Sequence, residues 1–234
     1  MTHTLEDLDT YYAGELGCGP GDLGSGTLVT IATDAVANIR FARGTPLAVF
    51  SMKKGLGGVI ACRTALLNAV DSALASHSDL NDDACEAVRA TVDPLVRASE
   101  WFYGQRLYCE PAWYTNYASG EVRIVTTEDE TAHELGLKWG GEVFGQVADG
   151  RVVSWAAVKP LSDVVWDLSV RTLPEYRGRG YAKSVVSAAV RFIFDHDRLA
   201  AWGTHRTNLA SINTARAVGF RDYALEFGCV EQTH

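Results

Sequence analysis

The chain has 234 residues, room for one large domain or two small ones with a sizeable core. Hydrophobic residues make up 47% and charged residues 21%, which excludes wholesale disorder. The formal net charge of -8 argues against a general nucleic-acid binder, because phosphate backbones call for a basic surface, and cationic or neutral substrates suit it better.

Five cysteines (Cys18, Cys62, Cys85, Cys109 and Cys229) are scattered, odd in number and never in a CxxC pair. That argues against a disulfide framework and a structural zinc site. The six histidines share no ligand spacing, so no metal is expected. The N-terminus has no basic and apolar leader, and no run approaches ~18 consecutive apolar residues, so the expectation is a cytoplasmic protein with no membrane partner.

Residues 4–16 predict a helix with Leu5, Leu8, Tyr12 and Leu16 as its apolar stripe. A glycine-rich loop follows. Its "GPGDLG" matches a dinucleotide-binding pattern literally but follows a helix and leads into a strand, the wrong context. Strands are predicted at 27–32, 47–52 and 57–62, and a short helix at 34–42. Helices are predicted at 63–75 and 81–92, the second capped by Asn81 or Asp82 and ended near Pro94. An aromatic run over 100–120 closes this half. It packs the molecule internally or forms a wall for an aromatic or cationic acceptor, with Trp113 and Tyr114 as test positions.

From residue 121 the texture changes. A strand (121–127), a short helix (127–140) and two strands around an Asp149-Gly150 turn come first. A further strand, "VVWDLSVRT", leads through "PEYRGRG" into a strongly amphipathic helix over 180–196. A strand, "LAAWGT", an Asn208-initiated helix ending at Gly219, and a last strand complete the chain.

A strand that enters a helix through glycines leaves several backbone N–H groups unused by the helix, at the positive end of its dipole. That is an anion site. Gly178 and Gly180 clear the approach, and Arg177 and Arg179 add fixed positive charge suited to phosphate oxygens.

"VRTLPEYRGRGYA" resembles the acyl-coenzyme A motif of the GNAT N-acetyltransferase superfamily, with Arg177, Gly180 and Ala182 filling the pattern. "NLASINTARAVGF" resembles that family's next motif, and the order of elements over roughly 121–230 also agrees. The resemblance implies an α/β fold with a mixed sheet, a GNAT acyltransferase fold in the C-terminal half (119–234). Before it would stand a smaller α/β domain (1–118), either a degenerate GNAT-like copy or an unrelated cap. That first domain is expected to contribute to the acceptor pocket.

The same resemblance implies an acyltransferase moving an acetyl or other short acyl group from acetyl-CoA, or another acyl-CoA, to an amine of a small molecule. A non-catalytic acyl-CoA sensor, a decarboxylase-like enzyme acting on the thioester and a protein N-acetyltransferase remain alternatives, and a homodimer stays open. Arg177, Gly178, Arg179, Gly180, Tyr181 and Ala182 would hold the pyrophosphate. Leu168, Ser169, Val170 and Asn208 would line the pantetheine arm. The family's usual general acid, a Tyr four residues before the Gly-Phe pair, is Ala215 here. Ser211, His205 and Tyr223 are candidate replacements, and Asp167 and Glu142 are candidate bases.

Overall fold

The computed structural model describes residues 3–39, 46–125 and 129–231. Two compact units emerge: Leu5–Gln105 with Tyr223–His234, and Arg106–Asp222 with Met1–Thr4.

In the first unit, α1 (Leu5–Leu16) buries Leu8, Tyr12, Ala13 and Leu16, one face of the helix. Strands β1 (Leu28–Ala32) and β3 (Gly58–Cys62) pair in parallel from Leu28↔Gly58 to Ala32↔Cys62. Between them in sequence, β2 (Leu47–Lys53) runs antiparallel to β3. The last strand of the chain, β10 (Arg221–Glu231), is antiparallel to β2. Helices α2 (Leu67–Leu74) and α3 (Asp82–Val92) cover the strands, and Val49, Ile60, Val70, Leu74, Val88 and Phe227 share one core. The cap of α3 is Asn81, whose side chain accepts from the Ala84 N–H.

The expected helix at 34–42 is a 3-10 turn, Asp34–Asn38, and residues 40–42 of that expectation lie outside the described residues. The helix expected at 63–75 opens with a 3-10 turn, Thr64–Leu66, before α2 begins. The aromatic run contains a strand that its composition hid: β4 (Ala98–Cys109). Trp101 and Tyr103 pack on Phe227 while Phe102 packs on Phe50, the two-face alternation of a strand.

The second unit holds β5 (Val122–Ile124), α4 (Glu130–Trp139), β6 (Val143–Ala148), β7 (Arg151–Pro160), β8 (Val165–Thr172), α5 (Tyr181–Asp195), β9 (Leu199–His205) and α6 (Leu209–Val218). Strands β5 to β8 are antiparallel neighbours in sequence order, and β8 pairs in parallel with β9. Asp149 and Gly150 both take positive φ (51° and 76°), the backbone that a two-residue hairpin turn needs. The stripe Val185, Val186, Ala189, Val190 and Ile193 of α5 is fully buried against Leu168, Ala200, Trp202, Val218 and Phe220. On the other face of the strands α4 packs Ala132 and Leu135 against Trp155 and Ala157. 

The units divide at Gln105/Arg106 and at Asp222/Tyr223, not at the single boundary of 118/119 expected from sequence. Residues 106–118 are tied into the second unit: Leu107 and Cys109 join its core, the Thr115 N–H donates to the Val218 carbonyl, and the Tyr114 hydroxyl donates to the Ser187 carbonyl.

Candidate active site

The parallel pairing of β8 with β9 covers three rungs, Val165↔Leu199, Trp166↔Ala200 and Asp167↔Ala201, and then stops. On its other side β8 stays paired with β7 to Thr172. The edge of β8 facing β9 is therefore left without rungs from Leu168 to Thr172, over roughly 16 Å at strand rise. The strands part, and a slot opens.

At its upper end β8 runs through a short 3-10 turn, Pro174–Tyr176, into α5. Gly178 and Gly180 adopt φ of 76° and 86°, which residues with a side chain rarely take. A Cβ built on either meets nothing within 4 Å, so the glycines serve backbone conformation and leave open space above the loop. Gly180 is the N-cap of α5 and no side chain caps the helix. The N–H groups of Tyr181, Ala182 and Lys183 have no carbonyl one turn back to receive them. The sequence "RGRGYA" thus builds a cradle of donors at the positive end of a fifteen-residue helix.

The two arginines differ. Arg177 Nε donates to the Thr172 carbonyl at 3.4 Å, and its side chain is exposed. Arg179 stacks on the buried Tyr176 ring, 5.1 Å from its centroid. Arg151 lies 5.3 Å from the same centroid. Tyr176 donates to Asp149 Oδ2 at 2.9 Å, so the β6–β7 turn fixes the ring that orders Arg179. Hydrogen bonding to the Tyr176 hydroxyl raises the Arg151 pKa above its ordinary value, and Glu175 acts the same way.

The slot and the cradle share a cavity of about 680 Å³. Val170, Arg177, Gly178, Gly180, Tyr181, Ala182, Asn208 and Ser211 line it, all of them named from the sequence. Leu168 and Ser169 do not line it, and Arg179 stands outside it. Leu168 points its side chain into the core between β8 and α5. Thr172, Tyr176, Lys183, Trp202, Asn213 and Thr214 also line the cavity and were missed. Thr172, Tyr176, Asn213 and Thr214 lie within the two quoted motifs without being singled out, and Trp202 showed only as a lone large residue in the small-residue strand "LAAWGT". Asn208 accepts from the Ser211 N–H at 3.2 Å, so it caps α6 while lining the cavity.

Asp167 occupies the last rung before the strands part. It is 1% exposed and does not line the cavity. Its Oδ2 accepts from Lys159 Nζ at 2.7 Å and from Arg106 at 3.2 Å, and its Oδ1 accepts the Leu168 N–H at 2.6 Å. Arg106 lies where a Cβ on Gly203 would stand, 2.5 Å from its guanidinium, so Gly203 makes room for it across β9. With both oxygens engaged and none facing the cavity, Asp167 anchors the parting point and is not presented to an acceptor amine.

Glu142 is exposed and lines a separate depression of about 390 Å³ with Gly140, Val158 and Trp166. His205 is exposed, with its Nδ1 2.8 Å from the Thr207 hydroxyl, and lies outside the lining. Tyr223 belongs to the first unit, where it donates to Asp9 Oδ1 at 2.7 Å. Ala215 is fully buried in the core. Of the candidate acids and bases, the geometry brings Ser211 alone to the cavity.

Trp113 and Tyr114 pack the 110–119 segment in the second unit. The Trp113 carbonyl lies 2.1 Å from where a Cβ on Gly219 would stand, Arg221 stacks 3.8 Å from the Trp113 centroid, and Tyr114 joins the core beside α5. Among the described residues no three His, Cys, Asp or Glu side chains converge as a metal site would, and no helix is long and apolar enough to cross a membrane.

Comparison with known proteins adds a family. The model of the acetyltransferase (GNAT) family matches residues 100–220. No curated protein matches the sequence. Among solved structures, a Novosphingobium aromaticivorans protein assigned to the GNAT family is 18% identical, with a TM-score of 0.52 over 59% of this chain and 68% of that one. A GNAT-family acetyltransferase from Colwellia psychrerythraea is 14% identical, with a TM-score of 0.51 over 98% of both chains. At those identities the likeness is one of fold. The family match spans just over half of the chain and contains the parted strands, the glycine cradle and the Asn208 helix, so the chain belongs to the GNAT acetyltransferase family.

Proposed function

We propose that this chain transfers an acetyl or other short acyl group from acyl-CoA to an amine of a small molecule, in the cytoplasm. One observation carries the reading: the slot beside β8 ends at an uncapped helix N-terminus whose two positive-φ glycines face open space. The Arg177 N–H is spent on the Pro174 carbonyl, but the donors from Gly178 to Ala182 suit a pyrophosphate, and the Arg177 side chain adds charge beside them. The unpaired edge of β8 offers backbone groups to an extended arm with amide groups, as a neighbouring strand would.

In such a transfer the amine nitrogen bonds to the thioester carbonyl carbon, the carbon–sulfur bond breaks, and its electron pair leaves with sulfur. The amine loses a proton and the sulfur gains one. This chain's share is to hold the thioester in the slot, to orient it and to stabilise charge on sulfur. With Asp167 committed to Lys159 and Arg106, proton removal from the amine falls to water or to the acceptor's own equilibrium.

The test is calorimetric titration with acetyl-CoA, followed by a panel of small amines assayed for thiol release. Micromolar binding that Gly180→Asp abolishes in a folded protein supports the reading, and no binding to the folded wild type overturns it. Binding with no amine-stimulated thiol release would instead favour a non-catalytic acyl-CoA sensor, a reading that the missing hydroxyl at Ala215 supports.

A further inference from the structure

We infer that Ser211, oriented by the indole N–H of Trp202, is the hydrogen-bond donor to the leaving sulfur of the thioester in this chain. The inference rests on the acyl-CoA reading above. Trp202 is the first residue of β9 beyond the last rung with β8, so it stands at the closed end of the slot. Its Nε1 donates to Ser211 Oγ at 3.0 Å, and both residues line the cavity. An arm anchored by its phosphates at the glycine cradle and laid along β8 brings its far end to this pair.

The other hydroxyls of the cavity are committed or misplaced. Tyr176 donates to Asp149, Thr214 donates to the Ala210 carbonyl at 2.9 Å, and Thr172 is bonded to Ser154 at 2.7 Å, which itself donates to the Arg171 carbonyl. Tyr181 is the first residue of α5, at the phosphate end. Ser211 differs. Its oxygen already accepts from the indole, which turns its own O–H away from Trp202, and that O–H has no acceptor among the described residues. The arrangement leaves one hydroxyl proton free to turn into the cavity, where negative charge would develop on sulfur.

A serine hydroxyl is too weak an acid to hand its proton over outright. It stabilises the thiolate by hydrogen bonding, and the sulfur takes its proton from solvent on release. Ser211 is then a catalytic residue, and Trp202 a positioning residue acting through it. Charged groups also face the slot: Arg171 on β8, Arg177 in the loop and Lys183 on α5 line the cavity, and the buried Asp167, Lys159 and Arg106 sit at the last rung. All of them are retained in the variants below, so a difference between variants isolates the hydroxyl.

The experiment needs no acceptor. Coenzyme A in its free-thiol form is bound to the protein, and its thiol is titrated by thiolate ultraviolet absorbance, with desthio-coenzyme A subtracting the protein's own groups. The bound thiol is expected to titrate about one unit higher in Ser211→Ala than in wild type. Trp202→Phe, which keeps the ring and removes the N–H, is expected to shift it partway in the same direction. Both variants are checked for folding by thermal melts, and Ser211→Ala is the mild one. Equal thiol pKa values in wild type and Ser211→Ala, with coenzyme A bound, overturn the inference and leave the acyl-CoA reading standing. Weaker binding without a pKa change also overturns it, because Ser211 is then a contact to the arm. Failure of the folded wild type to bind coenzyme A overturns both.

Discussion

Two parallel strand pairs among the described residues each lead into a strand–helix junction, β1/β3 in the first unit and β8/β9 in the second. The first pair is zipped through five rungs, down to Cys62, the last residue of β3. The Thr64 N–H beyond it donates to Asp34 Oδ1 at 3.0 Å, and Arg63 is ion-paired with Glu231. No glycine interrupts the junction. In the second pair the rungs stop after three, the helix N-cap is a glycine with no side chain to offer, and two glycines hold the loop open. Both junctions begin with the same surplus of backbone donors. At the first, a carboxylate of the chain itself takes one of them, the Thr64 N–H. At the second, no side chain caps the helix, which is what the proposed anion site requires. A strand–helix junction becomes a binding site by what the sequence withholds from it as much as by what it adds.

The sharpest way to break the open side is at its root. Asp167→Asn would leave Lys159 and Arg106 buried with a weakened partner, and a loss of about 3 kcal/mol or more is expected, read as a fall in the denaturant midpoint of unfolding. Next, Gly219→Ala sets a methyl against the Trp113 carbonyl at a φ of 113°, and about 3 kcal/mol is expected from overpacking and backbone strain together. A stable Gly219→Ala protein would mean that the 110–119 segment yields more easily than its contacts suggest. At the cradle itself, Gly180→Ala meets no neighbour and pays only for its left-handed backbone, so about 1 kcal/mol of stability is expected to go, whereas Gly180→Asp is expected to cost acetyl-CoA at least about a hundredfold in affinity by charge and bulk.

On the closed side the effects are smaller. Asp34→Ala frees the Thr64 N–H and is expected to cost about 1 kcal/mol, as the loss of a cap does. It should not create coenzyme A binding in a chain already carrying Gly180→Asp. Detectable binding there would show that donor supply alone makes the site. Burial pushes the Cys62 thiol from 9.0 up to about 11, with Asp71 adding to the shift. The folded state keeps that proton while the unfolded chain loses it, so the associated stability is complete below about pH 9 and drains away as pH rises towards about 11. Alkaline melts should show a slope in that window that Cys62→Ala reduces.

Much of the second unit was legible because its signals are local. The Asp149-Gly150 turn, the buried stripe of α5 and the Asn208 cap each rest on residues within one or two turns of each other. The glycine loop's shape was legible for the same reason: two glycines announce its left-handed backbone. The Asp167 anchor was not. Its partners come from β7 and β4: the Lys159↔Asp167 register across the hairpin brings Lys159, and Arg106 arrives from a strand distant in sequence. Trp202 and Ser211 are nine positions apart, but they meet across a strand and a helix, which no periodicity encodes. β4 was hidden because its aromatics on both faces read as a cluster and not as an alternation, and the unit boundary falls inside it.

The stacking of Arg179 on Tyr176 bears on how an anion would approach the cradle. A free arginine gives up substantial rotamer entropy when it closes on a ligand. Here the ring is buried and pinned to Asp149, and the guanidinium already rests on it. That freedom is surrendered during folding, before any ligand arrives. Arg179 stands outside the cavity lining, so its fixed charge would act on an approaching anion from the rim, and the association rate is where it would be felt.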